Sequence, residues 1–385
     1  MGIQVTPRAA DAHTIEAVFS VDGKDFTVRT TATASLDTSG TPWLPPGVVV
    51  AGTTGKRLEL DRPVDPVALS GGAKAGELLR SWYPQMSQAD VHAEESAAEV
   101  PDDRGVGCFF SGGLDAFYTA LKNREEITHL ILVHGFDIDP RRQRPYDRIS
   151  SNAKKVAAEL GVELIEVRTN LQFLHVKYGH NWASAAHGAA LAHVGLLLSQ
   201  HLRKVIIASS FEEGRRDPHG SHPDLDPLWS SGGVELVQDG LESNRVAKAA
   251  AVKDNDLVAR YLRVCNLNTD DEYNCGKCEK CIRTMVNLYV VGGLERSESL
   301  PLSIPIERMK TMHVRPGGFR FVQENLDEMR ARGVDDPELE AALVGILVRS
   351  PRRQQFLKYR WLLLEIAPKL PGALFRIFEH WVKSR

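Results

Sequence analysis

The chain lacks a bilayer-length apolar run, an excess of basic charge, and both of the commonest glycine-rich nucleotide loops. Its most apolar late stretch, residues 356–378, is broken by Lys358, Arg360, Glu365, Lys369, Pro368 and Pro371, which excludes a spanning helix. Lys and Arg total 47 against 50 Asp and Glu, a formal charge of −3. A broadly nucleic-acid-binding surface is basic, so nucleic acid is not an expected partner. No Lys follows the chain's glycines in the GxxxxGK[ST] pattern, and GxGxxG is absent too. The first twelve residues contain no apolar h-region, so a cytoplasmic location without a membrane is expected. Cysteine is scarce, five in 385 residues, and in that compartment disulfides are disfavoured.

What is present reads as an ordinary globular chain, 43% hydrophobic and 25% charged, long enough for two or three domains. Residues 1–86 read as a small β-rich N-terminal domain. There Phe19-Ser-Val21 and Phe26-Thr-Val28 flank an Asp22-Gly23 hairpin signal, with further strands expected at 48–51 and 58–60. An acidic, small-residue linker follows at 87–104. Residues 105–294 alternate short apolar runs (106–110, 129–134, 163–167, 205–208, 234–237) with longer helical segments such as 146–160 and 182–202. That pattern predicts an α/β fold with a doubly wound parallel sheet of about five strands, whose ligands bind beyond the strands' carboxyl ends. Residues 295–385 read as helical, with segments at 322–332, 337–348 and 353–366. From Pro301 onward 15 Lys/Arg face 10 Asp/Glu, for which a solvated helical surface is the commoner explanation.

Ser111-Gly112-Gly113-Leu114-Asp115 follows the first of the five apolar runs and leads into a helical stretch. Two glycines bring backbone N–H groups close to a ligand, and the helix start adds a positive dipole end. Asp115 adds a negative charge, which suits a phosphate carrying Mg²⁺, so ATP is the expected occupant. The segment resembles the SGGxDS signature of the PP-loop ATP pyrophosphatase superfamily, which cleaves ATP between its α and β phosphates. Ala116 stands where that family has a second serine, which removes one side-chain contact but not the backbone cradle.

Cys265, Cys275, Cys278 and Cys281 place three thiols on one tight turn, with Gly276 permitting the bend and a fourth thiol arriving from upstream. Four thiolates suit structural Zn²⁺; an iron–sulfur cluster also accepts four. A PP-loop followed by this quartet resembles the 7-cyano-7-deazaguanine synthases of the queuosine pathway over residues 105 to about 290, as a divergent relative. The resemblance implies an ATP-dependent ligase, forming AMP and pyrophosphate, that adenylates a small-molecule carboxylic acid. Ammonia or an amine then captures the acyl group to give an amide, and dehydration of a primary amide to a nitrile would need a second round of activation. Base thiolation of tRNA, and nucleotide binding without catalysis on a degenerate loop, are the alternatives; homodimer formation is left open.

Further polar residues cluster where strand ends converge. His134 and Phe136, after the second run, lie where the resemblance implies an adenine pocket. His222, Asp224 and Asp226, near Arg215, Arg216 and His219, are candidates to touch substrate or metal. Arg245 and Lys248 share a helix face and are candidate catalytic cations alongside Asp115, placed to neutralise departing pyrophosphate. His175, His180, Asn181 and His187 surround the start of the third helix and read as core or capping groups. Cys108 reads as a buried small hydrophobe.

Overall fold

A computed structural model describes residues 2–97, 99–178, 182–214, 217–265 and 272–363. The chain divides into two compact units, Met1–Asn244 and Arg245–Arg385. In the first unit, β1 (Ile3–Asp11), β2 (Thr14–Val21) and β3 (Lys24–Ala32) form an antiparallel meander. Alternation dictates it: Ile15, Ala17, Phe19 and Val21 point into the core from one face of β2. Asp22 and Gly23 both take positive φ, 51° and 74°, as a two-residue hairpin turn with the matching twist requires.

After the meander come α1 (Leu44–Thr54), β4 (Leu58–Leu60), α2 (Pro66–Trp82) and β5 (Val91–His92). Residues 48–51, read above as a strand, lie instead inside α1. Prolines in the first helical turn and Gly55 in the left-handed cap bound the helix. It is buried over most of its surface, so its apolar run carries no helical periodicity by which to tell it from a strand.

The alternating region supplies β6 (Gly105–Phe109), α3 (Leu114–Lys122), β7 (His129–His134), α4 (Gln143–Leu160), β8 (Glu163–Thr169), α5 (Leu171–Lys177), α6 (His187–Leu197), β9 (Leu202–Ala208) and β10 (Glu235–Asp239). Neighbouring strands in the run β10-β9-β6-β7-β8 pair in parallel. The expected self-contained five-stranded parallel sheet is nevertheless wrong. The sheet is mixed and ten-stranded, in the order β10-β9-β6-β7-β8-β3-β2-β1-β4-β5. Residues 30–32 of β3 pair antiparallel with 167–169 of β8, and Thr30 Oγ1 donates to Thr169 Oγ1 at 2.9 Å across the seam. Each strand's periodicity reports which face is buried, not which edge is left to pair, so the merger is invisible in local pattern.

The second unit comprises α7 (Arg245–Val252), α8 (Asp256–Tyr261), α9 (Glu279–Val290), α10 (Ile306–Thr311), α11 (Phe319–Ala331), α12 (Pro337–Leu347) and α13 (Pro351–Trp361). Ile282, Met285, Val286, Leu326, Met329, Leu343 and Ile346 are buried apolar side chains of these helices. Asn287 Nδ2 donates to Asn325 Oδ1 at 2.7 Å, a buried amide contact linking α9 to α11. Residues 364–366 of the expected last helix lie outside the described residues. Among the described residues no helix is long and apolar enough to cross a membrane.

Candidate functional site

Strand order reverses between β6 and β9: β7 and β8 add to one side of β6, and β9 and β10 to the other. Such a reversal opens a crevice at the strands' carboxyl ends. Ser111–Asp115 occupies the carboxyl end of β6 at that point. Gly112 has φ +76°, where a side chain is strained, and Gly113 is the extended N-cap of α3. Phe117 N–H makes the helix's first bond back to Gly113 O at 2.9 Å. The first-turn N–H groups of a helix have no acceptor within it and face its positive dipole end, so this turn suits an anion. Ser111 Oγ accepts from Gly113 N–H at 3.4 Å, pinning the turn.

Asp115 in the first turn of α3 accepts a hydrogen bond from Ser210 Oγ at 3.1 Å. Ser210 follows β9, so this bond spans the reversal point. Ser209 N–H donates to Asp239 O at 2.8 Å, which brings in the end of β10. Below it Lys122 pairs with Asp239 and with Glu242, each at 2.7 Å, and Tyr118 OH donates to Glu242 at 2.7 Å. Burial alone raises the Glu242 carboxyl; the bonds from Lys122 and Tyr118 overcome that and bring it down to about 2. Ala116 is buried in the same turn of α3. The Ser111-Gly112-Gly113-Leu114-Asp115 residues therefore fit a phosphate group, and Ser210 is a partner that sequence reading missed.

His134 ends β7 as a buried ring. Its ring stacks on Tyr146 at 4.0 Å and 6°, its Nε2 meets Asp139 O at 3.1 Å, and burial lowers its basicity. Phe136 remains half-buried near Trp182 and His187, with centroids 5.2 and 6.5 Å away. Trp182 begins a π-turn, a local irregularity frequent near functional sites. His175 is fully buried, while His180, Asn181, Arg215 and Arg216 lie outside the described residues.

The loop after β9 separates its three candidates. His222 is buried between Trp82 and Phe211, at 4.7 and 5.3 Å, and its Nδ1 accepts from Asp224 N–H at 3.0 Å. The Asp224 side chain is exposed. Asp226 is wholly buried, with Oδ2 accepting from Ser221 Oγ and Gln238 Nε2 at 2.7 Å each. Burial drives its carboxyl up to about 6, against those hydrogen bonds.

Arg245 and Lys248 belong to the second unit, in α7, where Lys248 is 1% exposed. The same unit holds the cysteines. Asn274 staples the two segments that carry them. Its Oδ1 accepts from Val264 and Cys265 N–H at 2.9 and 3.2 Å, and its Nδ2 donates to Leu262 O and Ser299 O at 2.8 and 2.9 Å. Gly276 bends with φ +64°, and a Cβ there would lie 2.6 Å from Pro301. Cys278 caps α9, its Sγ accepting from Cys281 N–H at 3.4 Å.

All four sulfurs lie within 4.8 Å of one another, and those of Cys275 and Cys281 are 4.0 Å apart. Tetrahedral ligation at about 2.3 Å places sulfurs roughly 3.8 Å apart, and a disulfide needs about 2 Å. The four thiols are free and buried. Hydrogen bonds from Cys275, then Cys278 and Cys281, pull the Cys265 thiol down, whereas the bond with Cys265 pushes Cys281 up. One thiolate thus opposes the next, a conflict that a cation removes. These four cysteines could hold a metal ion such as zinc.

Comparison of the chain with protein-family models, curated proteins and solved structures gives no significant match.

Proposed function

We propose that the protein is an ATP-dependent adenylating ligase that activates a small-molecule carboxylic acid for amide or nitrile formation. The observation that carries this reading is the Asp115–Ser210 bond at the reversal between β6 and β9, beside a glycine turn that opens onto a helix start. In this proposal the Ser111–Gly113 turn and the start of α3 would hold the phosphates, and Asp115 would hold the Mg²⁺ that neutralises their charge. A substrate carboxylate oxygen attacks the α-phosphorus and the bond to the β-phosphate oxygen breaks, releasing pyrophosphate. Ammonia or an amine then attacks the acyl carbon, AMP leaves with the bonding electrons, and the amine's proton passes to solvent. Holding both reactants in line and balancing phosphate charge supply the acceleration. Zinc bound to Cys265, Cys275, Cys278 and Cys281 would crosslink the fold, with no coordination position left for substrate.

The cysteines favour this chemistry over base thiolation. Four are gathered in one cluster, and Cys108 is fully buried in β6 with its thiol pushed up by burial to about 12, which suppresses a nucleophilic thiolate. The test is pyrophosphate release across a panel of carboxylic acids. Release should require an acid and fall at least 100-fold in Asp115→Ala; acid-independent release, or an unaffected variant, overturns the proposal.

A further inference from the structure

The outward side of α13 carries an apolar ridge where a polar one is expected. Phe356 is 55% exposed and Leu363 52%, and Val348, just ahead of the helix, is 73% exposed. Leu362 keeps helical dihedrals, φ −59° and ψ −45°, so Leu363 continues the same spiral. Spaced four, three and four residues apart, Arg352, Phe356, Tyr359 and Leu363 share one face. The opposite face carries the buried Leu357 and the half-buried Trp361. Trp361 lies 5.4 Å from the His313 ring and 5.5 Å from the Arg315 guanidinium, and Arg349 anchors the start of α13 by donating to Met309 O and Met312 O. Packing therefore fixes which side of the helix faces out, and the centre of that side is apolar.

Every charge on the same segment is positive. Residues 349–363 contain Arg349, Arg352, Arg353, Lys358 and Arg360, and no Asp or Glu. Arg352, Arg353, Lys358 and Arg360 are exposed, and among the described residues none of these four forms an ion pair. Arg352 heads the ridge, Arg353 and Arg360 border one side of it, and Lys358 borders the other. Their field also reaches inward. Burial and then Arg353 lower the basicity of Arg349, and burial, then Arg315, Lys358 and Arg349, lower that of His313. A solvated face mixes both signs and scatters its apolar groups, and this one does neither.

We infer that α13 rests on an anionic lipid surface, with Phe356, Tyr359 and Leu363 at the boundary of headgroups and acyl chains and the four cations among the headgroups. A basic helix with an apolar stripe lies in the interface plane without spanning it, and Arg and Lys stems reach past the stripe to lipid phosphates. Charge decides against the nearer occupants. A second copy brings the same cations, and residues 364–385 add Lys369, Arg376, Lys383 and Arg385 against Glu365 and Glu379 alone. Shape decides against the remaining ones. A ridge on a single helix is convex, so a protein partner needs a matching acidic groove, whereas acyl chains yield around it. A nucleic-acid backbone neutralises the cations but offers nothing to Leu363 and Val348. The inference stands apart from the ligase proposal, since it uses no residue of the nucleotide turn.

The test is cosedimentation of the full chain with vesicles, without ATP or acid. Vesicles of equimolar phosphatidylcholine and phosphatidylglycerol should bind it about 100-fold more tightly than phosphatidylcholine alone, and molar salt should release most of it. Arg352→Gln/Lys358→Gln should weaken binding about tenfold or more, through charge. Phe356→Ser/Leu363→Ser should do the same with every charge kept, because the apolar contact is lost. All four positions are exposed, so circular dichroism and Tm should match the parent. Fluorescent polyglutamate titrated in parallel separates lipid from an acidic protein surface. No vesicle binding, equal binding to neutral vesicles, or parental affinity in either double variant overturns the inference. So does polyglutamate binding that the Phe356→Ser/Leu363→Ser pair weakens as much as vesicle binding.

Discussion

Replacing Asp226 by Asn should stabilise the protein at pH 8 and leave it nearly unchanged at pH 4. The carboxyl is 0% exposed, and two donors already occupy Oδ2. Its Oδ1 has no hydrogen-bond partner; a Cβ on Gly188 would lie 2.2 Å from this oxygen and 2.3 Å from Gly220 O. Burial raises the carboxyl from 3.8 to about 6. Because the folded value lies above the unfolded one, the group favours the folded state fully below pH ~3.8 and loses that contribution as pH rises through ~6. A shift of roughly two units means the ionised group costs about 3 kcal/mol near neutrality. Asn keeps one oxygen for Ser221 and Gln238 and carries no charge. The gain over the parent should therefore grow from nearly nothing at pH 4 to about 3 kcal/mol at pH 8, or on the order of 6–12 °C in Tm. Urea and thermal melts of both proteins at pH 4, 6 and 8 measure it. A variant less stable at pH 8, or a pH-independent offset, would refute the reasoning and return Asp226 to the role of a charged substrate contact.

Two further outcomes concern the cysteine cluster. Elemental analysis should find one tightly held metal per chain, released stoichiometrically by a strong chelator and missing in Cys278→Ser, with the second unit losing much of its folding free energy, since structural zinc contributes about 10 kcal/mol or more. Asn274→Ala removes four hydrogen bonds, three to the 262–265 segment and one to Ser299. It should destabilise by about 2–4 kcal/mol and weaken metal binding by about 10–100-fold in chelator competition.

The parts of the site written in contiguous residues were legible in the sequence. Ser111 to Asp115 needed only the glycine pair, a preceding apolar run and a following helix, all between Gly105 and Lys122. The cysteine spacing likewise encodes its own turn, and the thiols do meet. What escaped depends on partners distant in sequence. Nothing near Asp115 names Ser210, 95 residues away, and nothing near Cys265 shows that Asn274 will hold both flanking segments. His134 was legible as a strand end but not as a ring stacked on Tyr146, twelve residues on. The 48–51 run misled for a different reason: a helix buried on nearly every side has no polar face to show its period.

The region outside the family resemblance matters to the region inside it. α2 follows the N-terminal meander, and the loop after β9 is braced against it. A Cβ on Gly71 would lie 2.1 Å from Leu228 O, so only glycine lets the helix approach that closely. Asp65 caps α2 through Val67 and Ala68 N–H and also accepts from Gly232 N–H at 2.8 Å. Trp82, at the other end of α2, meets His222 edge-on. Three contacts spread along one helix therefore fix the loop that carries His222, Asp224 and Asp226, and two of the three use backbone atoms of that loop. Substituting loop side chains leaves those two anchors in place, whereas a side chain at Gly71 displaces the loop as a whole. Loss of activity in a Gly71 variant would thus report displaced loop backbone, and loss in Asp224→Ala, whose side chain is exposed, would report a missing carboxylate.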